Sequence, residues 1–508
     1  MNQIKAGALL SYASLFLSNI IGLSYTPFML RMMGQSEFGL YSLILTVVST
    51  LTLLDVGLGA AVVRYSAKFR ESNELDRKNS MLGMFLSLYS IIGIICLILG
   101  FILSSNLETF FESSLSVNEI QKARIMTIMI TIYLAVSFPL SVFGSLITAH
   151  ESFIFQKCVN IIRIIALPAI MIPFLLNGYK SLAMASVHIS VGMLALLTNV
   201  FFCFYKLKIK IKFKNYEIKL LKEIGAFSLL VFLKIIFIRI HMSTGQFVIG
   251  SFLGTAAVAI FAIAIQIRGY FHSFSEALNG LFLPRLTILS AKKSSIKIIS
   301  DLFIKIGRIQ MHIMGYLLSI YLLFGLDFVT LWAGSAYYDS YLISLIIIIP
   351  TLVPLVQAIA SVLLQANNRL KFQVVVYFIM AIITIILSVW LTKKMGAIGS
   401  AVSLGIAIII GEVFLMNWYY WKKIKLDIPK FWMEIIKITI PIVSFTILFS
   451  LITKNSNSQN LYKLIMNILI YSILYFPVIS FFCLNKYEKN LFKNMFLKLT
   501  NSLKLKKQ

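Results

Sequence analysis

Six ionisable side chains stand inside stretches that are otherwise apolar, and they set the chemical question. Arg268, His272, Ser275, Glu276 and Asn279 fall within about 100° of arc at helical periodicity, a single polar stripe. Arg268 begins roughly 18 Å into its stretch at about 1.5 Å per residue, too deep for its side chain to snorkel out. Lys234 and His241 share a face of the preceding stretch, with Arg239 on another. Groups at such depth are costly and face a water-filled cavity or a partner. A cavity wall of Arg268, His272, Glu276, Lys234, Arg239 and His241 would hold an anion, because a guanidinium takes phosphate oxygens two at a time. Buried ion pairs to neighbouring helices would place the same residues without any ligand, and both readings stay open. The chemistry is binding and release. No catalytic residue and no metal ligand is assigned, since the four cysteines are isolated and neither a CxxC nor a His/Cys cluster occurs.

Those stretches are membrane spans. Of 508 residues, 59% are hydrophobic and only 13% are charged, about half the charge density of a soluble domain; mean hydropathy is +0.90. Forty Phe and five Trp do not fit into one soluble core. A spanning helix needs about 20 mostly apolar residues. Fourteen runs qualify, at 7–30, 40–63, 80–104, 122–148, 158–176, 182–204, 224–252, 256–283, 301–325, 341–364, 372–392, 398–420, 434–453 and 462–484. The expected class is an all-α integral membrane protein. The first run is read as a span: it is long for a signal peptide, lacks a strong basic leader and leads into Pro27 and Arg31. Prolines inside the runs, such as Pro139, Pro168 and Pro350, are places where a helix can bend.

The net charge of +27 would point to nucleic acid in a soluble chain, but its placement excludes that. The N-terminus, alternate gaps and the C-terminal tail hold 31 Lys and Arg, whereas the opposite gaps hold only Arg31, Lys180, Lys393, Lys394 and Lys454. The positive-inside rule then puts both termini in the cytoplasm. The outward gap 105–121 carries Glu108, Glu112 and Glu119 and no basic residue. Lys305, Arg308 and His312 share a face close to the cytoplasmic surface, where snorkelling is expected to suffice. No gap reaches the size of a domain, so function must lie among the helices.

The chain also repeats itself. Gly34 and Gly254, Asp55 and Glu276, Arg64 and Arg285, Ala149 and Ala366, Gly178 and Gly396, and Asn199 and Asn417 pair at offsets of 217 to 221. A six-span unit recurs in the same orientation, as in transporters built from parallel repeats. The expected organisation is an N-lobe over 1–204, a basic cytoplasmic linker over 205–223, a C-lobe over 224–420, two further spans over 434–484 and a basic tail over 485–508.

The segment Leu30-Arg31-Met32-Met33-Gly34-Gln35-Ser36-Glu37-Phe38-Gly39-Leu40-Tyr41, followed by Asp55-Val56-Gly57-Leu58-Gly59-Ala60-Ala61-Val62-Val63-Arg64, carries a recognisable pattern. It resembles the polysaccharide-transporter family, which includes the Wzx-type O-antigen flippases, within the superfamily of multidrug/oligosaccharidyl-lipid/polysaccharide exporters. The resemblance implies a flippase for a polyprenyl-diphosphate-linked oligosaccharide in the cytoplasmic or inner membrane. It further implies a lipid-linked glycan and membrane lipids as partners, a polysaccharide polymerase or assembly proteins nearby, a monomeric state, no nucleic acid and no cofactor. Physical reasons for the motif are independent of the family. Gly57 and Gly59, with Ala60 and Ala61, give a smooth face for close helix contact, while Gly34 and Gly39 flank a short turn that favours positive φ. Asp55 and Arg64 are read as ties between neighbouring helix ends.

An ion-coupled exporter of small molecules is the alternative, but it calls for twelve spans and an acidic pocket. A membrane polymerase would need large loops with paired acids, which 105–121 and 205–223 lack. No GxxxxGK[ST] occurs, so the driving force is expected to be a proton or sodium gradient or the membrane potential. A reporter active only in the cytoplasm should be active when fused after Lys210 and silent when fused within Glu108–Glu119; the opposite result would invert the topology.

Overall fold

The computed structural model describes residues 3–55, 57–214, 216, 218–291, 295–366, 369–452 and 460–490. Lys454 and the tail beyond residue 490 lie outside them, as does the side chain of Arg285. Among the described residues all regular structure is helical, and fourteen helices are long and apolar enough to cross a membrane. They are Leu9–Met33, Gln35–Glu71, Leu75–Ser105, Val117–Ala149, Phe153–Leu176, Ser181–Tyr205, Leu229–Leu253, Thr255–Gly280, Ile296–Trp332, Ser335–Val356, Lys371–Met395, Ala397–Lys422, Ile428–Ile452 and Leu461–Phe482, spans 1 to 14 below. Each coincides with an expected run. Two helices continue past their spans, Ile218–Leu253 and Thr255–Ala291; with Ile296–Trp332 they reach about 55 Å at about 1.5 Å per residue, well beyond a hydrocarbon core of about 30 Å.

The prolines leave their helices unbroken, and the interruptions fall elsewhere. In span 2 the α-helix Gln35–Ser49 tightens into a 3-10 segment, Thr50–Asp55, and α-helix resumes at Leu58. Gly57, at φ 73°, makes the join, a left-handed conformation that costs a side-chain-bearing residue about 1–2 kcal/mol. In span 12 a π-helical stretch, Ile409–Met416, separates Ala397–Ile408 from Asn417–Lys422. Pro139, Pro168 and Pro173, by contrast, lie within the continuous helices Val117–Ala149 and Phe153–Leu176.

The chain packs as two compact units. The first comprises Met1–Ile267, Leu342–Ile347 and Leu370–Gly411. Its core holds Leu40, Leu43, Ile44 and Val48 of span 2, Phe85 and Tyr89 of span 3, and Val258, Phe261 and Ile263 of span 8, all at most 1% exposed. Spans 3 and 4 approach closely over small residues. A Cβ on Gly93 would stand 2.5 Å from the Ala135 carbonyl oxygen, and one on Gly100 2.1 Å from Thr131 Cγ2. Contact of this kind holds helices together where lipid offers no hydrophobic drive.

The second unit comprises Arg268–Tyr341, Ile348–Arg369 and Glu412–Gln508, and a buried ion cluster corrects the expectation for span 9. Arg308, 4% exposed, does not snorkel. Its Nε and Nη2 donate to Glu488 at 2.7 and 2.9 Å, Nη1 donates to Glu434 at 2.7 Å, and Nη2 also donates to the Cys483 carbonyl at 2.8 Å. His312 Nε2 lies 3.5 Å from the same Glu488 carboxylate. Span 9 is thereby fastened to span 13 and to the segment after span 14. Beside the cluster, Phe431 stacks on Phe303 with ring centroids 4.5 Å apart, over the bare flank of Gly307.

Arg308→Ala would strand two carboxylates. Removing one member of a buried pair typically costs about 3–5 kcal/mol, so the variant should show a clearly lower Tm and less folded protein in detergent. Burial pushes the Glu488 carboxyl up, but His312 and Arg308 beside it more than offset this and hold it at about 2. Its folded value lies below its unfolded one, so the stabilisation is complete above the ordinary carboxylate range. It is lost as the pH falls from about 4.5 to about 2. Tm should decline across that window, and less steeply in Glu488→Gln.

Candidate functional site

The first half of the motif, Arg31 to Gly39, lies at the end of the bundle that carries 105–121. Gly34, at φ 79°, starts the helix Gln35–Ser49. One turn in, the Glu37 carboxylate accepts from Lys122 Nζ of span 4 and from Ser181 Oγ, where span 6 begins. Arg31 closes span 1 and is exposed. Two glycines exchange the roles expected of them. Gly39 does not flank the turn: it lies in the helix, and a Cβ there would stand 1.8 Å from the Thr255 carbonyl oxygen. Gly57 is not a packing face but the left-handed join. Gly59 keeps the packing role, with Ser145 Oγ 3.1 Å and Tyr89 Oη 3.7 Å from its would-be Cβ.

Around Thr255 a seam joins spans 2 and 4 to spans 7 and 8. Thr255 Oγ1 donates to Glu119 at 2.7 Å, and Glu119 also closes the capping box with Ser116. Ser114 Oγ donates to the Gly250 carbonyl at 2.6 Å and Ser113 Oγ to that of Ser251 at 3.3 Å. Phe110 and Phe111 place their rings 5.7 and 5.4 Å from Phe247. Deeper in, Gln246 bonds Thr46 and Ser42 of span 2. Gly39 and Ala259 are one repeat apart, so the first turns of two corresponding helices cross here.

Further along span 2, Asp55 accepts a hydrogen bond from Tyr89 Oη, and the Tyr89 ring stacks on Phe138 at 6.5 Å. Arg64 is exposed, with its guanidinium 5.8 Å from the centroid of Tyr65. Asp55 is thus engaged by a tyrosine and Arg64 lies against a ring. On span 7 the three candidates differ. Lys234 is half-buried and its Nζ stands 5.8 Å from the Tyr377 ring centroid. His241 is 1% exposed, with Nδ1 2.6 Å from Thr384 Oγ1 of span 11. Arg239 is exposed.

In the second unit the polar stripe of span 8 divides. Ser275 is fully buried and donates to the Leu355 carbonyl at 3.0 Å, and Asn279 meets the Gln310 side-chain amide at 2.6 Å. His272 and Glu276 are exposed, their side chains 3.6 Å apart. Arg268 is half-buried, and its Nε has no hydrogen-bond partner among the described residues. Ser275 and Asn279 therefore brace the helix, while His272 and Glu276 lie beside each other along its exposed side.

The interruption of span 12 carries a polar hub that the sequence did not expose. Asn417 Nδ2 donates to the Val413 and Glu412 carbonyls at 2.9 and 3.2 Å, oxygens at the π-helical stretch. Its Oδ1 accepts from Gln357 and from the Trp432 indole, each at 2.8 Å. Tyr89, Lys122, Glu434 and Glu488 were equally out of reach, since each is one polar residue whose partner lies tens to hundreds of positions away. The capping box Ser116–Glu119 is the one local signal that could have been read.

Residues 4–287, more than half of the chain, match the family of polysaccharide biosynthesis proteins. A protein of Shigella flexneri that carries the name "Putative O-antigen transporter" is 21% identical over 408 residues, covering 79% of this chain and 94% of that protein. Among solved structures, a lipid II flippase MurJ in an inward closed conformation superposes with a TM-score of 0.72 at 17% identity, covering 93% of this chain and 98% of the other. An inward-facing multidrug resistance MATE family transporter of the MOP superfamily superposes at 0.64 and 12% identity, covering 84% and 98%. These structures share the fold. The fourteen spans and the match over residues 4–287 make this a multi-pass membrane protein that belongs to the polysaccharide biosynthesis protein family.

Proposed function

We propose that this protein is a flippase that carries a polyprenyl-diphosphate-linked oligosaccharide across the cytoplasmic membrane by alternating access, with both termini in the cytoplasm. The observation that carries the reading is Arg268, a guanidinium about 20 Å from the start of its span at about 1.5 Å per residue. Its Nε is unbonded among the described residues. A charge so placed in a membrane span marks a substrate or ion pathway, and a diphosphate is the anion a guanidinium fork fits best. Lys234, Arg239 and His241 are proposed as further anion-facing groups, and His272 with Glu276 as the flanking pair. The seam around Thr255 fits a state in which the two repeats are closed on the side of 105–121. The prenyl chain stays in lipid, and the protein catalyses no covalent step. The MATE-like fold favours the alternative of a small-molecule exporter, but the basic character of the span 7 and 8 candidates opposes it.

Arg268→Ala should abolish flipping while the protein still inserts and accumulates, and Arg268→Lys should retain part of the activity because the charge stays and the fork is lost. Normal glycan export by a stable Arg268→Ala protein would end the proposal for this residue; parallel loss of folded protein and export would reassign it to structure. Vesicles containing the purified chain should flip substrate without nucleotide, and a strict ATP requirement would overturn the gradient-driven mechanism.

A further inference from the structure

Residues 206–214 read Lys-Leu-Lys-Ile-Lys-Ile-Lys-Phe-Lys, five lysines alternating with apolar residues and no acid. Span 6 ends at Tyr205, the amides of Lys206 and Leu207 close on the Phe202 carbonyl at 2.9 and 3.2 Å, and Lys208 turns the chain at φ 50°. The chain then runs without helical bonds across span 3. Lys212 N donates to the Asn79 carbonyl at 3.0 Å, and Tyr216 Oη lies 3.1 Å from Ser87 Oγ. The seat is Gly83, where a Cβ would stand 2.1 Å from the Lys212 carbonyl oxygen. In an extended chain alternate side chains take opposite faces, and burial follows that rule. Ile209 is buried, Leu207 and Ile211 are half-buried, and all five lysines are exposed. Lys212 pairs with Asp76 at 2.7 Å. Lys206, Lys208, Lys210 and Lys214 have no ion-pair partner among the described residues. Phe213, between two of the lysines, is 61% exposed.

We propose that this arm is a binding surface for the phosphates of anionic lipid headgroups. An acidic protein would account for the lysines but not for a bare phenylalanine among them, and a nucleic acid, whose bases could stack on the ring, would not account for the arm's seat on a membrane-spanning helix. Basic residues at the headgroups with an aromatic side chain entering the acyl boundary is how a segment lies along a membrane surface. The seat on a membrane-spanning helix puts the arm beside that surface, and an anionic leaflet attracts such segments. Both ordinary anionic phospholipid and the diphosphate of a lipid-linked cargo offer this chemistry. The second source rests on the proposed function and the first does not.

The test uses the full chain in lipid nanodiscs and the rate at which an uncharged succinimidyl ester acylates each lysine, read by mass spectrometry. Discs of phosphatidylcholine alone are compared with discs that add phosphatidylglycerol or polyprenyl diphosphate. Acylation of Lys206, Lys208, Lys210 and Lys214 should slow several-fold with either anion, with Lys212 changing least, and high salt should reverse the effect. Protection by phosphatidylglycerol alone upholds the surface and assigns it to bulk lipid; stronger protection by polyprenyl diphosphate at equal content assigns it to cargo. Gly83→Val keeps every lysine but removes the seat and should lose the protection. Should that variant not fold, Lys208→Gln, Lys210→Gln and Lys214→Gln together should lower the phosphatidylglycerol retained in native mass spectrometry several-fold. Equal acylation rates in all three discs, or full protection in folded Gly83→Val, would overturn the proposal.

Discussion

A polar group inside hydrocarbon has no water to fall back on, so a charge or backbone group placed there depends on partners within the protein. That requirement explains more of this molecule than hydrophobic burial does, since lipid is as apolar as leucine and gives helices little reason to prefer one another. The answers are specific. Glu37 is met by Lys122 and Ser181, Asp55 by Tyr89, and Arg308 by two glutamates and a carbonyl. Each ties one span to another part of the bundle, and each fixes a register that apolar packing alone would leave free. Arg268 differs from these three charged residues, because its Nε has no hydrogen-bond partner among the described residues.

The same constraint decides where helices can be interrupted. Breaking a spanning helix frees carbonyl and amide groups, which must find partners at once. In span 12 the Asn417 side chain supplies them, bonding two carbonyls of the π-helical stretch while its own oxygen is held by Gln357 and Trp432. In span 2 the bond pattern tightens to 3-10 over Thr50–Asp55, and α-helix resumes at Leu58 after the left-handed Gly57. A proline loses a single amide, and helices absorb that: Pro168 and Pro173 sit within one unbroken helix.

What the sequence made legible follows from this physics. Span number and position depend on summed hydropathy over about 20 residues, a local sum, and all fourteen runs match helices. The inventory of deep charges was legible too, because a lone arginine in an apolar run is conspicuous. Their partners were not. Nothing near Arg308 announces Glu434 or Glu488, and a charge counted from the helix end looked close enough to the surface to snorkel. Gly39 and Gly57 show the same limit. A glycine signals either a close approach or a positive φ, and only the surroundings say which.

The repeat sharpens the distinction between what the backbone requires and what the side chains do. Gly34 and Gly254 have φ of 79° and 81°, and Gly178 and Gly396 have 82° and 63°, so paired glycines share a positive φ ahead of corresponding spans. The paired polar residues diverge. Asp55 is bonded by Tyr89 whereas Glu276 is exposed beside His272. Asn417 is the hub of span 12 whereas the Oδ1 of Asn199 is buried without a partner among the described residues. A turn between antiparallel spans is dictated by the local path of the chain, which both copies share, so its glycine persists. A buried polar group is dictated by its neighbours, and the second copy has neighbours the first lacks, including span 13 through Trp432 and Glu434 and the segment after span 14 through Glu488. The paired glycines therefore agree in the sign of φ, while the paired polar residues take separate partners: Asp55 is held by Tyr89, and Glu276 lies exposed beside His272.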